Sequence, residues 1–177
     1  VITADTTGAF TLALDDVFFT SNGSTSIIIK DAEATANATV TAAAVLDANN
    51  SIAVTSAGKA SANDSFTGGA GADTFTFNTT LDADVIDGSD IIAGGKGSDT
   101  LIVNVLTIAG NITITTAVAS VENYTFNSAD TLALTFTLAD SGVVTSALQA
   151  NTGIIDATGM TGSGALTFSG DAENDSD

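Results

Sequence analysis

Short runs of alternating apolar and polar residues recur along the chain, and Gly, Asn, Asp and Ser separate them. β-branched or aromatic residues dominate each run, which is typical of strands with one buried face. The predicted strands are residues 27–29, 51–55, 111–115, 123–126, 132–138 and 165–168. Only residues 31–46 and 143–150 have a composition that suits a helical turn or a short helix. The pattern therefore predicts strand, turn and strand along nearly the whole chain.

A nine-residue pattern is superimposed on this alternation. Residues 68–76 and 94–102 both fit G-G-x-G-x-D-x-U-x, in which U is an apolar residue. A degenerate copy precedes each of them, at residues 59–67 and 85–93. The intervening residues 77–84 are one residue short of another copy and carry Asp82 at the Asp position. Four or five consecutive short turns are predicted.

The residue types in this pattern predict an oxygen-lined turn. Glycine at the first, second and fourth positions permits a positive φ and lets carbonyl oxygens approach without a Cβ in the way. Asp at the sixth position adds a carboxylate, and Ca²⁺ takes six to eight such oxygens. The apolar residue two positions later begins a short strand, so its side chain is expected in the interior. These residues are Phe66, Phe75, Ile92 and Leu101.

If one nonapeptide makes half a coil, turns on the same side recur about every 18 residues. Asp73 and Asp90 would then lie in one column, and Asp64, Asp82 and Asp99 in the other. Carboxylates stacked one coil apart repel each other in the absence of a cation. Folding is therefore predicted to depend on Ca²⁺.

The amino-acid composition disfavours several classes of binding partner and of catalytic chemistry. The chain has 177 residues, with three Lys and no Arg or His against 21 acidic residues, and its net charge of -18 disfavours nucleic acids and anionic lipid surfaces. Without His or Cys, the common nucleophilic triads and zinc sites have no ligands, so we expect no enzyme. No apolar run has the length of a membrane-spanning helix. The Asn-Asp-Ser at residues 63–65 recurs at 174–176, which predicts a repeat of about 111 residues in a longer protein.

The nonapeptides of residues 59–102 resemble those of the repeats-in-toxin (RTX) family, whose repeats form a calcium-bound parallel β-roll. The resemblance implies an all-β fold, a right-handed parallel β-roll or β-solenoid with flanking Thr/Ala-rich strands. It divides the chain into a strand-rich flank (residues 1–58), the calcium-binding roll (59–102) and a solenoid flank (103–177). Together with the column argument, it gives a set of candidate Ca²⁺ ligands: Asp64, Gly68, Gly69, Gly71, Asp73, Asp82, Gly88, Asp90, Gly94, Gly95, Gly97 and Asp99.

The flanking segments, including residues 121–126 and 155–162, resemble bacterial surface-layer proteins that carry such repeats. This resemblance implies a structural protein of the cell surface, exported by a type I system, that folds with Ca²⁺ and assembles with copies of itself. A cell-surface polysaccharide is a possible anchor, and neither nucleic acid nor membrane insertion is expected. Two alternatives remain open: a repeat of a secreted adhesin or fibre, including a viral appendage, and the calcium-folding export module of a secreted enzyme or toxin.

Several residues outside the repeats carry weaker expectations. The acids outside the repeats are expected to cap turns, as Asp does at strand ends, or to keep the surface soluble: Asp15, Asp16, Asp47, Asp130, Asp140 and Asp156. Glu122 is expected to be exposed. Phe18, Phe19 and Tyr124 are expected to pack in the solenoid core. The acidic group Asp82, Asp84 and Asp87 is interpreted as a loop or as extra Ca²⁺ ligands rather than as a catalytic carboxylate pair.

Overall fold

The computed structural model describes residues 1–4, 8–31, 36–57, 62–79, 89–105, 118–128, 134–137, 154–161 and 166–169. These ranges contain fourteen strands and one helix in the following order: β1 (Ile2–Ala4), β2 (Phe10–Asp15), α1 (Asp16–Asn22), β3 (Ser26–Asp31), β4 (Ala38–Ala44), β5 (Ser51–Ser56), β6 (Ser65–Thr67), β7 (Thr74–Thr79), β8 (Ile91–Ala93), β9 (Thr100–Val105), β10 (Val118–Ala119), β11 (Asn123–Ser128), β12 (Leu134–Thr137), β13 (Ile154–Met160) and β14 (Leu166–Ser169).

Successive strands alternate between two parallel sheets. Sheet A has the order β1-β3-β5-β7-β9-β11-β13, and sheet B has the order β10-β8-β6-β4-β2. Strands β12 and β14 form a separate parallel pair. Each coil thus contributes one strand to each sheet, and the chain is a parallel β-solenoid. The predicted all-β parallel architecture is confirmed.

The strand register corrects the predicted coil length. Thr39 pairs with Ser65, Ser65 with Ile91, and Thr74 with Thr100, so each of these coils contains 26 residues rather than 18. The two intact nonapeptides are themselves 26 residues apart. A coil therefore contains one nonapeptide, not two, because a second and longer connection returns the chain from sheet A to sheet B.

The core lies between the two sheets and is built from alternate residues of each strand. Phe75 of β7, Leu101 of β9 and Tyr124 of β11 are in register and fully buried. Phe66 of β6 faces them from sheet B, with its ring stacked 6.5 Å from that of Phe75. Ile92 is also buried, so all four apolar positions of the nonapeptide pattern point inward as predicted.

The helical predictions are wrong where they can be compared. Residues 31–46 contain β4 instead of a helix, because Ala38, Val40 and Ala42 alternate into the core and β4 pairs with β2 and β6. Pairing on both edges and burial outweigh the helix propensity of Ala. Residues 143–150, and the predicted strand at 111–115, lie outside the described residues.

Helix α1 has clear end signals although it was not predicted. The side chain of Asp15 accepts a hydrogen bond from the Phe18 N–H at 3.0 Å, as an N-cap does. Gly23 ends the helix with a φ of 60°. Phe19 is buried in the core and Phe18 packs against it, as expected from the sequence. Within the described ranges, no helix is long and apolar enough to cross a membrane.

Candidate functional site

Two columns of acidic side chains follow the solenoid axis. The first acidic ladder, formed by Asp73, Asp99 and Glu122, lies where the chain passes from sheet B to sheet A. The Asp73 N–H donates to Asp99 Oδ1 at 2.7 Å, and the Asp99 N–H donates to Glu122 Oε2 at 2.8 Å. The Ile52 N–H donates to Asp73 Oδ1 at 2.7 Å in the same way. Each carboxylate therefore holds the backbone of the preceding coil.

The second acidic ladder, Asp64 and Asp90, lies at the opposite turns. The Ala38 N–H donates to Asp64 Oδ1 at 2.9 Å, and the Asp64 N–H donates to Asp90 Oδ1 at 2.7 Å. The Ser56 hydroxyl donates to Asp64 Oδ2 at 2.9 Å. This ladder repeats the geometry of the first one on the other edge of the coil.

These pairs correct the predicted columns. Asp73 stacks on Asp99 rather than with Asp90, and Asp64 stacks on Asp90 rather than with Asp99, because the coil has 26 residues. Two of the candidate ligands, Asp82 and Gly88, lie outside the described residues, as do Asp84 and Asp87. The structure brings the other candidates together in two groups along the turns.

The ladder carboxylates are almost completely shielded from solvent. Asp64, Asp73, Asp90 and Asp99 have exposed fractions of 3%, 1%, 3% and 0%. Burial raises the pKa of Asp64 and of Asp73, and hydrogen bonds to each carboxylate oppose the shift. Burial raises the pKa of Asp99 to about 7; the hydrogen bond from Asp73 opposes this, and the negative charges of Asp73 and Glu122 add to it. Ionising these groups therefore works against the fold.

The oxygens of the ladder differ in what they contact. Asp73 Oδ2 accepts a hydrogen bond from the Gly69 N–H at 2.7 Å, so both of its oxygens have donors. Both oxygens of Asp64 also have donors. Among the described residues, two buried polar atoms have no hydrogen-bond partner: Asp99 Oδ2 and the hydroxyl oxygen of Tyr124. Asp99 is thus the ladder residue with an unmet need for a proton or a cation.

The nonapeptide glycines allow turns of successive coils to lie directly on one another. A Cβ on Gly68 would overlap Gly94 O and Asp73 Oδ2, and a Cβ on Gly94 would overlap Ser120 O and Asp99 Oδ2. Gly71 and Gly97 meet backbone carbonyls in the same way. Close approach of carbonyls was predicted and is confirmed.

The predicted positive φ is found at only some of these glycines. It occurs at Gly95 and Gly97, with φ of 100° and 119°. Gly69 has a negative φ and is required for space, because a Cβ there would come within 2.8 Å of Val45.

Sequence reasoning missed the third turn of the first ladder. Ser120, with a φ of 53°, occupies the place of Gly94 in the next coil: the Gly94 N–H donates to Ala119 O as the Gly68 N–H donates to Ala93 O, both at 2.8 Å. Glu122, expected to be exposed, is half-buried and takes the place of Asp99.

The shorter turn explains why this match was missed. Thr100 pairs with Asn123, 23 residues later, so the turn has three residues fewer and the nonapeptide spacing is lost. One signal remains in the sequence: an acid immediately precedes β7, β9 and β11 alike.

Three acids outside the ladders accept backbone hydrogen bonds. Asp16 accepts hydrogen bonds from the Leu46 and Asp47 N–H groups, which lowers its pKa. Asp47 accepts from the Asn49 N–H at 2.9 Å. Asp156 accepts from the N–H and hydroxyl of Thr158, which lowers its pKa. Asp47 and Asp156 cap their own turns as expected, whereas Asp16 binds the backbone of a turn about 30 residues later in the chain. Asp130 and Asp140 lie outside the described residues.

The donor set was compared with the needs of a metal ion. In the part of the chain that the structure describes, no three acidic side chains converge to form a metal-binding cluster. The ladders instead offer one or two carboxylates together with backbone carbonyls of stacked turns, such as those of Gly94 and Ser120. Ca²⁺ accepts this mixture of hard oxygens and commonly completes its shell with water. The donor types of the first ladder, one or two carboxylates with backbone carbonyls, therefore suit Ca²⁺ better than a metal that needs a cluster of acidic side chains.

Comparison with protein-family models, with curated proteins and with solved structures finds no match for this chain. The side chains and turns described above are therefore the basis for assigning a function to the chain.

Proposed function

We propose that the chain is a non-enzymatic structural module of an extracellular surface protein, and that Ca²⁺ drives its folding. The observation that carries this proposal is the stacking of buried carboxylates in the two acidic ladders. Neighbouring rungs of a parallel sheet are about 4.8 Å apart, so like charges in a ladder repel unless something neutralises them. With three Lys against 21 acidic residues, the chain supplies few cations of its own.

Calcium would act through linkage between binding and folding. Extracellular modules bind Ca²⁺ with dissociation constants of about 10⁻⁴ to 10⁻³ M, so their sites stay empty in the cytosol and fill outside the cell. A site at ten times its dissociation constant contributes about 1.4 kcal/mol to the free energy of unfolding. Several such sites decide whether a marginally stable domain folds. This behaviour suits export of an unfolded chain by a type I system.

The surfaces of the solenoid support assembly with further copies. The described outward positions of β5, β7, β9 and β11 are uncharged and mostly Thr, Asn or Ser. The outward positions of β4, β6, β8 and β10 are uncharged as well. The charged outward positions of sheet A lie on its outer strands, at Lys30 of β3 and Asp156 of β13. On a chain with a net charge of -18, the central strands are where copies approach with the least repulsion. We therefore propose a surface-layer-like lattice built through these faces.

A rod-like adhesin or fibre is the second candidate. It is favoured by the parallel stack itself, in which every coil adds one strand to a seven-stranded sheet A along a single axis. Electron microscopy of the Ca²⁺-loaded protein separates the two: sheets support the lattice, and unbranched rods support the fibre.

Circular dichroism during a Ca²⁺ titration tests the coupling. We expect a coil-like spectrum in chelator and a β spectrum after Ca²⁺ is added, with a higher midpoint for the double variant Asp73→Asn and Asp90→Asn. Asp156→Asn is the matched control, since it removes a carboxylate outside the ladders that accepts hydrogen bonds from Thr158. A chain that is fully folded in chelator and indifferent to Ca²⁺ would contradict the proposal.

A further inference from the structure

We propose that the coil after the last nonapeptide closes the first acidic ladder with a Ca²⁺ site formed by Asp99 Oδ2, the Ser120 carbonyl and the Glu122 carboxylate. This inference rests on the proposed function, because it assigns one of the ions to residues outside the nonapeptide pattern. The site would have three protein ligands.

The first ligand is Asp99 Oδ2, which has no hydrogen-bond partner within the described ranges. The residue is fully buried, and its Oδ1 accepts the Asp73 N–H at 2.7 Å. Its Oδ2 meets no donor among the described residues, whereas the equivalent oxygen of Asp73 accepts the Gly69 N–H. A buried carboxylate oxygen without a partner loses its hydration without compensation. The two turns are alike in sequence, so this difference marks Asp99 as the rung where a ligand is required.

The second ligand is the Ser120 carbonyl oxygen. Ser120 O and Asp99 Oδ2 both press against the same face of the Gly94 Cα, since a Cβ there would overlap both oxygens. Two electron-rich oxygens held close to one another repel, and a cation between them turns that repulsion into attraction. The Ser120 carbonyl lies against Gly94 as the Gly94 carbonyl lies against Gly68 in the preceding coil.

The third ligand is the carboxylate of Glu122. Glu122 Oε2 accepts the Asp99 N–H at 2.8 Å, which places its carboxylate beside the Asp99 turn. The turn before Glu122 is three residues shorter than the one before Asp99, and Glu has one methylene more than Asp with which to reach the ladder. Glu122 is half-buried, so water can complete the shell of six to eight oxygens that Ca²⁺ prefers.

The chain offers a reporter for ions at this end of the first ladder. Tyr124 is its single Tyr, and it has no Trp. Tyr124 lies two residues after Glu122, and the charge of Glu122 contributes to raising the pKa of its hydroxyl, behind the larger effect of burial. Tb³⁺ replaces Ca²⁺ at oxygen sites and emits when a nearby excited tyrosine transfers energy to it. Emission excited through tyrosine therefore reports an ion close to Tyr124.

The experiment is a Tb³⁺ titration of the full chain with excitation in the tyrosine band, followed by displacement with Ca²⁺. We expect emission that saturates with Tb³⁺. Glu122→Gln should raise the dissociation constant for Tb³⁺ about tenfold or more, although the Gln side chain keeps an oxygen for the Asp99 N–H. Asp99→Asn should weaken Tb³⁺ binding similarly. Asp156→Asn is the matched control and should not change it, because Asp156 lies one strand from Tyr124 but outside the ladder. Tyr124→Phe should abolish emission without changing the number of bound Ca²⁺ ions.

The outcomes separate this inference from the proposed function. Unchanged Tb³⁺ affinity in both Glu122→Gln and Asp99→Asn overturns the site, even if Ca²⁺ still folds the chain. Absence of tyrosine-excited emission from a chain that Ca²⁺ does fold also overturns it. A chain that neither binds Ca²⁺ nor responds to it removes the proposed function itself. If one variant does not reach the wild-type circular dichroism spectrum at saturating Ca²⁺, the other variant decides.

Discussion

At the scale of single residues, the ladder acids do two jobs that differ in their need for charge. As hydrogen-bond acceptors, they hold the backbone N–H groups of the preceding coil, which a neutral amide oxygen could also do. As carboxylates, they carry buried negative charge, which burial opposes, as the raised pKa values of Asp64, Asp73 and Asp99 indicate. The negative charge therefore destabilises the folded state unless it attracts a cation. Protonation at low pH should remove this destabilisation, as Ca²⁺ binding would.

The first prediction is that protons partly replace Ca²⁺. The folded-state pKa of Asp99 is about 7, above the value of about 3.9 for an unfolded Asp, so the folded state binds the proton more tightly. Its contribution is fully present below about pH 4 and is lost as the pH rises to about 7. In chelator, the folded fraction of the chain should therefore decrease as the pH rises over this range. Circular dichroism of the chelated chain at several pH values measures it.

Calcium and substitution provide the controls for this pH dependence. Saturating Ca²⁺ should flatten the profile, since the ion competes with the proton, and Asp99→Asn should reduce its amplitude in chelator. Asp16 and Asp156 have lowered pKa values and act in the opposite direction, so their stabilising effect is lost at the acid end. A chelated protein whose stability rises steadily from pH 4 to pH 7 would contradict this account.

The second prediction concerns the space above Gly94. Gly94→Ala places a methyl group on Ser120 O, which is a backbone atom, and on Asp99 Oδ2, which belongs to a fully buried side chain. We expect a loss of about 2 to 3 kcal/mol in the free energy of unfolding at saturating Ca²⁺. Gly8→Ala is the matched control, because a Cβ there has nothing within 4 Å, and it should be nearly neutral. Equal effects of the two substitutions in urea denaturation would show that the turns are not stacked so closely.

At the scale of elements, the sequence predicts the strands better than it predicts how they are arranged. Predicted strands coincide with β3, β5, β11, β12 and β14 because alternation is a local property. The coil length depends on the full connection between the sheets, so the columns could not be obtained from nonapeptide spacing alone. The equivalence of Glu122 with Asp99 was not predicted for a related reason. The turn before Glu122 is shorter, so the equivalence is visible only in the register of β9 and β11.

The third prediction concerns the asparagine row on sheet A. Asn104 Nδ2 donates to Asn78 Oδ1 and Asn127 Nδ2 donates to Asn104 Oδ1, both at 2.8 Å, so Asn104 links three neighbouring strands. Asn104→Ala breaks both hydrogen bonds and should lower the free energy of unfolding by about 1 to 2 kcal/mol. Thr76→Ala, an outward position on β7 outside this row, is the control and should cost less. Chemical denaturation with Ca²⁺ present compares the two variants, and equal losses would argue against a role for the row.

At the scale of the whole molecule, the ladder acids lie away from the outward faces of the central strands. The ladder acids lie at the turns, whereas the outward positions of the described central strands in both sheets are uncharged. Calcium at the turns would lower the net charge of -18, so one ion species would both fold the coils and reduce the repulsion between copies. Folding and assembly would then share a single trigger but use different surfaces.

The fourth prediction tests that separation by placing charge on one face at a time. Thr76→Asp on sheet A and Thr41→Asp on sheet B each add a carboxylate at an outward strand position, where the fold tolerates polar side chains. Circular dichroism should show a nearly unchanged Ca²⁺ midpoint for folding in each variant. Light scattering and electron microscopy at saturating Ca²⁺ should show that at least one variant no longer assembles, because a charged side chain would be buried without a partner between two copies.

The matched control for the sheet A variant is Thr76→Val, which has nearly the same shape as Thr but no charge, so it should assemble like the wild type. Loss of assembly in Thr76→Asp alone would assign the contact to sheet A, and loss in Thr41→Asp alone would assign it to sheet B. Loss in both would indicate a layered packing that uses both faces, as a two-dimensional lattice of solenoids requires. Wild-type assembly by both charged variants would mean that copies meet through their turns or ends, and the proposed role of the uncharged faces would be wrong.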